Sequence, residues 1–340
     1  MTRRSFWVVV LLAIGVSTAV AQPPAQAAKL PSPSDSLVIV AGTKDDTANV
    51  FRVNGNTLEL LKSLKTGGGP HEVCISADGK KAYVTNSTGG GITVIDLTTL
   101  EVGAPIMDAS LERPTGLAAS RDGKKLYVGS RGSQALVVLS TGGQVLKQLP
   151  VKDPTGVAIS PDGTRVYVAS DSTQSVFAID TSTDTVNGVL KTGRQPMGIA
   201  VTPDSKTVLV ASVSSDVMHV FNAATNELYG AFGIGRAPQG IAVAPDGKVA
   251  YSVTREATPG LGHSTVSILD LRQGYGRKSN DIAVDALPAR VLLSPDASFL
   301  YVTCTGADAA TSVTIIDLRT GETVHKVRGG AGARGMALRK

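Results

Sequence analysis

The sequence predicts an all-β protein: a seven-bladed β-propeller whose ring is closed by the C-terminal strand joining the N-terminal blade. Three observations carry this. A phrase of short apolar runs and turn residues recurs at intervals of roughly 40–50 residues, the period of one four-stranded blade. Its last copy, at 333–339, has no strands after it to complete a blade. The N-terminal region has three strand-like runs, 36–41, 49–53 and 58–64, with no copy of the phrase before them. Joining the two remnants makes one more blade and leaves no free sheet edge.

Taken in order, the 340-residue chain begins with a targeting pattern. Arg3 and Arg4 precede an apolar run over 6–16, followed by Ala19, Val20 and Ala21. A basic start, a short hydrophobic stretch and small residues at −3 and −1 describe a cleavable secretory signal over 1–21. The arginine pair fits either ordinary secretion or a twin-arginine motif, and both routes lead to a bacterial periplasm or beyond it. No later stretch is long and apolar enough for a membrane span. Residues 22–35, rich in Pro and Ala, are expected to be a flexible leader, and 36–340 the propeller. Losing Arg3 and Arg4 with the signal, and no acid, lowers the formal charge from +5 to +3. That balance, and the departure of Trp7 (the only tryptophan) with the signal, argue against nucleic-acid binding, which stays a third alternative.

The repeated phrase opens at Pro70, Pro114, Pro154, Pro196, Pro238, Pro288 and Ala333. Each innermost strand that opens with Pro is followed by a turn of the kind Ser160-Pro161-Asp162-Gly163, suited to a type I turn. Asp96, Asp180, Asn222, Asp270 and Asp317 end third strands, where a short acceptor side chain caps the next backbone N–H groups. They read as turn formers rather than catalytic acids or calcium ligands, because they repeat in equivalent slots. Tyr83, Tyr127, Tyr167, Leu209, Tyr251 and Tyr301 share a slot that reads as packing between blades. Cys74 and Cys304 fall two blades apart, too far for a disulfide, and read as small buried hydrophobes.

The run Tyr83-Val84-Thr85-Asn86, then Thr93-Val94-Ile95-Asp96, with the Pro-x-Gly and Ser-Pro-Asp-Gly phrases, resembles the YVTN-repeat (YncE-like) β-propellers over essentially the whole mature chain. The resemblance implies a secreted or periplasmic seven-bladed propeller that serves as a binding or interaction protein. It brings no catalytic residues with it.

Function is sought where the copies disagree. Glycine follows Thr115, Thr155, Met197, Gln239 and Arg334, but the same slot holds Glu72 after His71 and Arg290 after Ala289. These exceptions flank the closing blade, so His71, Glu72, Arg290 and Arg334 should gather at one sector of the channel mouth. Long loops at 255–264 and 305–311 fall in the same sector and add Arg255 and His263. Arg113, Lys152, Arg194 and Arg236 place further cations at the entries around the ring, whereas lysines 80, 81, 124, 125 and 248 offset the acids of the opposite face. The expectation is a cationic mouth whose ligand-binding residues are His71, Glu72, Arg194, Arg236, Arg255, His263, Arg290 and Arg334, taking a small anion or an acidic protein partner. By fold-level analogy, such a protein could be an accessory to an exported dehydrogenase or an envelope assembly. The plain alternative is that Glu72 and Arg290 pair with neighbours and fill the space that glycine leaves open.

Enzyme signatures are scarce. No HExxH, CxxC, GxSxG, P-loop or dinucleotide motif occurs, and the glycine triplets at 67–69 and 89–91 precede no helix. His219 and His325 read as surface residues of outer strands. The rival class is a lactonase-like hydrolase using Glu72 and His71 as an acid–base pair with His263 nearby. No cofactor or metal is expected, and the protein is expected to be a monomer.

Overall fold

The computed structural model describes residues 30–32, 34–255, 264–272, 277–306 and 312–339. The signal reading at 1–21 and His263 lie outside them. Seven four-stranded antiparallel sheets form the ring. Blade 1 holds Leu37–Gly42, Thr47–Asn54 and Thr57–Lys65, and its innermost strand is the chain's last, Ala333–Arg339. Blades 2 to 7 follow in order, with innermost strands starting at Pro70, Pro114, Pro154, Pro196, Pro238 and Pro288. Val38 pairs with Leu338 and Val40 with Met336, so the two chain ends are joined by the ladder that closes the ring.

The hydrophobic residues divide into seven clusters, one per blade interface. Tyr83 packs on Leu117 and Val128 of blade 3, Tyr127 on Val166 and Val168 of blade 4, and Tyr301 on Val38 and Val40 of blade 1. Leu209 fills the same slot between blades 5 and 6, beside Ala250 and Leu269. Stability is thus shared around the ring, each sheet burying both faces on its neighbours.

The turns behave as their chemistry predicts. Gly163 N–H donates to Ser160 O at 2.9 Å, and Ser160 Oγ donates to Asp162 Oδ1. Asp180 Oδ1 accepts from the N–H groups of Ser182 and Thr183, and Asp96, Asn222, Asp270 and Asp317 cap in the same way. Cys74 and Cys304 are both free thiols, and burial pushes the Cys304 thiol up to about 12.

Two details differ from expectation. His219 is not a surface residue: it is 7% exposed, with Nδ1 3.2 Å from Ser212 Oγ. Its strand, Val217–Asn222, is third in the sheet, with a strand on either side and neighbouring blades across both faces, so alternation there does not mark solvent. His325, on the outermost strand Glu322–Arg328, is exposed. The end of the leader is also fastened down. Arg339 Nη2 donates to the carbonyls of Ser32 and Asp35, and the Asp35 carboxylate pairs with Arg52 at 3.0 Å.

Each innermost strand steps out of register just after its opening residue, between Pro154 and Val157 for example, a bulge that turns the backbone toward the next blade. The glycine at this step permits the approach. A Cβ on Gly156 would stand 1.9 Å from Met197 O, and one on Gly198 would stand 1.8 Å from Gln239 O. Gly198→Ala should therefore cost about 1–3 kcal/mol through forced displacement of the neighbouring backbone. Gly233→Ala, where a Cβ would meet nothing within 4 Å, should stay within about 0.5 kcal/mol. Urea denaturation of the two variants against wild type checks the contrast.

Candidate functional site

Blades 2 and 7 carry Glu72 and Arg290 at the bulge position where the other blades carry glycine. Both strands compensate in the same way. Glu72 N–H donates to Thr85 Oγ1 at 3.1 Å, and Arg290 N–H donates to Thr303 Oγ1 at 3.0 Å. Each threonine hydroxyl then donates to the next blade, Thr85 to Thr115 O at 2.8 Å and Thr303 to Arg334 O at 3.2 Å. In blades 3 and 4 the link comes instead from the residue before glycine, with Thr115 Oγ1 donating to Pro154 O and Thr155 Oγ1 to Pro196 O. Thr85 and Thr303 were missed in the sequence. Their signal was present, since the two blades lacking glycine both place threonine at the fifth position of the second strand.

The two exceptional side chains meet. Arg290 Nε donates to Glu72 Oε2 at 3.1 Å, and Nη2 bonds the same oxygen. Their side chains are only 16% and 13% exposed. The pair joins blade 7 to blade 2 across the inner end of blade 1, where the chain termini are knitted together. Of the two sequence readings, the pairing half of the plain alternative is therefore what the geometry shows for Glu72 and Arg290.

Arg334 is in a different position. It stands on the closing strand between the paired residues, partly buried, and among the described residues its guanidinium has no hydrogen-bond or ion-pair partner. Burial and the nearby charges of Arg290, Arg255 and Arg131 lower its pKa to about 10, opposed by Glu72. His71 lies in the same field. Burial, then Arg334, Arg290 and Arg131, hold its imidazole well below the ordinary 6.5, and its Nδ1 is buried without a partner among the described residues. No hydrogen bond joins His71 to Glu72, whose carboxylate is taken up by Arg290.

Arg255 and Arg131 add two further cations to this field, Arg131 being itself paired with Asp153 at 3.7 Å, and Arg131 is a member that sequence reasoning overlooked. Its position after the second strand of blade 3 gave no signal in the entry phrase. Arg194 and Arg236 are exposed at the rims of blades 5 and 6, away from this sector, and Arg194 donates to Ser214 O of its own blade at 3.2 Å. Among the described residues, no three His, Cys, Asp or Glu side chains are grouped to hold a metal ion. No helix among them is long and apolar enough to cross a membrane.

The model of the YNCE-like beta-propeller family matches residues 11–165, and the structure carries the same blade repeat through the rest of the ring. The match is to the YNCE-like β-propellers, and the fold is that of a seven-bladed propeller. No curated protein matches it in sequence. Among solved structures, this propeller resembles a functionally unknown protein from Desulfotomaculum acetoxidans, with a TM-score of 0.76 and 19% identity over 89% of this chain and 98% of the other. It also resembles the Pseudomonas aeruginosa periplasmic gluconolactonase, with a TM-score of 0.72 and 16% identity over 90% and 99% of the two chains. The Kuenenia stuttgartiensis hydrazine synthase follows at 0.68 and 22%, over 79% and 89%. At these identities the likeness concerns the fold alone.

The neutral His71 gives a pH signature. Its folded pKa is depressed, so near pH 6.5 the unfolded chain takes up a proton that the folded protein refuses. Stability from this group is complete above that pH and falls as pH drops below it, by up to roughly 1.4 kcal/mol per pH unit. His71→Gln should flatten that slope between pH 6.5 and 5, leaving the smaller contribution of His219, which is shifted the same way by burial. Denaturation midpoints over this range measure it.

Proposed function

We propose that this propeller is an exported binding protein that takes an anionic group at the Arg334 sector of its channel mouth. One observation carries the reading: a partly buried guanidinium without an acceptor among the described residues, set among Arg290, Arg255 and Arg131. Repulsion among these cations is relieved by an anion, and a bidentate carboxylate or phosphate matches the free fork of Arg334. The fixed Glu72–Arg290 pair holds the site's walls, and the neutral His71 Nδ1 adds a polar atom able to accept or donate at its floor. The anion is a small molecule or the acidic surface of a protein partner, both recognised by the same fork.

Export is supported by the signal-like pattern over 1–21, and the gluconolactonase with this fold is itself described as periplasmic. Lactone hydrolysis, that neighbour's named activity, is not the reading proposed. It would need Glu72 free to move a proton, and Arg290 holds that carboxylate.

Isothermal titration of the purified protein with inorganic phosphate and with citrate tests the proposal. Saturable binding to wild type, weakened roughly tenfold to a hundredfold by Arg334→Ala and strengthened at low ionic strength, is expected. Equal binding by wild type and Arg334→Ala, or none by either, would overturn it.

A further inference from the structure

The interface between blades 3 and 4 contains a small carboxylate site that the chain fills by itself. Asp184, in the turn after the third strand of blade 4, sends Oδ1 to the Tyr127 hydroxyl at 2.8 Å and Oδ2 to Lys125 Nζ at 2.6 Å. Lys125 Nζ also donates to Thr181 O at 2.9 Å. The aspartate is 8% exposed, so a carboxylate is stable there only because a tyrosine hydroxyl and a cation both meet it.

One interface further on, between blades 4 and 5, the same scaffold recurs without the carboxylate. Arg165 and Tyr167 occupy the slots of Lys125 and Tyr127, and Arg165 Nη1 donates to Ala223 O, the counterpart of Thr181 O. The counterpart of Asp184 is Asn226, with the same left-handed backbone (φ 62° against 52°). Its side chain is turned toward Gly188 and does not reach the tyrosine. Tyr167 is fully buried, and among the described residues its hydroxyl makes no hydrogen bond of ordinary geometry, with the Arg165 guanidinium beside it. Asn226 Oδ1 is likewise buried without a hydrogen bond among them. A buried hydroxyl in this condition carries a cost that its counterpart Tyr127 avoids.

Tyr167 lines a cleft of about 420 Å³ on the face opposite the Arg334 sector, with its hydroxyl buried behind the cleft surface, and shares it with Arg165, Lys206, Tyr229 and Asp162. Asp162 is the one acid of this wall, and its Oδ1 accepts from Ser160 Oγ, Thr164 N–H and Thr164 Oγ1. Two cations therefore face one carboxylate already engaged by its own turn. We propose that this cleft is a second ligand site, specific for a small carboxylate that takes the place Asp184 occupies one interface earlier, accepting from Tyr167 Oη and the Arg165 guanidinium. The cleft admits a molecule of a few carbon atoms beyond the carboxylate, with Lys206 and Tyr229 at its rim.

The test uses the full-length protein carrying Arg334→Ala, so that the channel mouth does not contribute, with acetate and succinate as probes in isothermal titration. Saturable binding of at least one probe is expected. Tyr167→Phe removes only a hydroxyl that holds nothing in the fold, so it should keep the melting temperature and weaken binding roughly tenfold or more. Asn226→Asp supplies the missing carboxylate from the chain, so it should raise the melting temperature and abolish probe binding. The reciprocal change, Asp184→Asn, should lower the melting temperature. Absence of saturable binding in the Arg334→Ala protein, or unchanged affinity in both Tyr167→Phe and Asn226→Asp, would overturn the proposal.

Discussion

The close approach of adjacent innermost strands governs the rest of this molecule. Seven sheets can stand around one channel only if each inner strand brings its backbone against the next, and the bulge after the opening proline does this. Where glycine occupies the bulge, a neighbour's carbonyl fills the space a Cβ would need, within 2 Å at Gly156 and Gly198. That contact sets the ring's spacing. It also makes a side chain at the bulge possible only with a local adjustment, which is why Glu72 and Arg290 are informative.

Their adjustment is chemical as well as steric. Thr85 and Thr303 take the freed N–H groups of the two bulges and hand their own protons to the next blade, so the inter-blade link survives the loss of glycine. The side chains thus displaced toward the channel meet across blade 1, the one blade built from both chain ends. A pair of opposite charges there ties together the two blades that flank the closing ladder, and breaking it would leave a poorly solvated charge behind. Because Glu72 is engaged with Arg290, Arg334 meets no carboxylate among the described residues. The free guanidinium is therefore a by-product of ring closure as much as of site design.

Much of this was legible in the sequence. The blade count, the closure and the Asx turns follow from repetition, because each strand or turn must solve the same packing problem and does so with the same residues. The grouping of His71, Glu72, Arg290 and Arg334 was legible for the opposite reason: they break the pattern at one place in the ring. Three things were not. His219 alternates like an outer-strand residue, but a third strand is covered on every side. Arg131 comes to the sector from a loop whose direction only the folded ring defines. The state of Tyr167 depends on Asn226, a residue in the next blade, and a difference of one side-chain atom between Asp184 and Asn226 has no signature until the two interfaces are superposed.

The central claim is that Arg290 is satisfied within the protein while Arg334 is free to receive an anion. Arginine-selective ¹⁵N NMR tests it directly, by following the exchange of guanidinium protons with water before and after addition of phosphate. The account predicts that Arg290 Nε–H is protected throughout and that Arg334 exchanges freely until phosphate slows it. Protection of Arg334 without phosphate, or free exchange at Arg290, would contradict it.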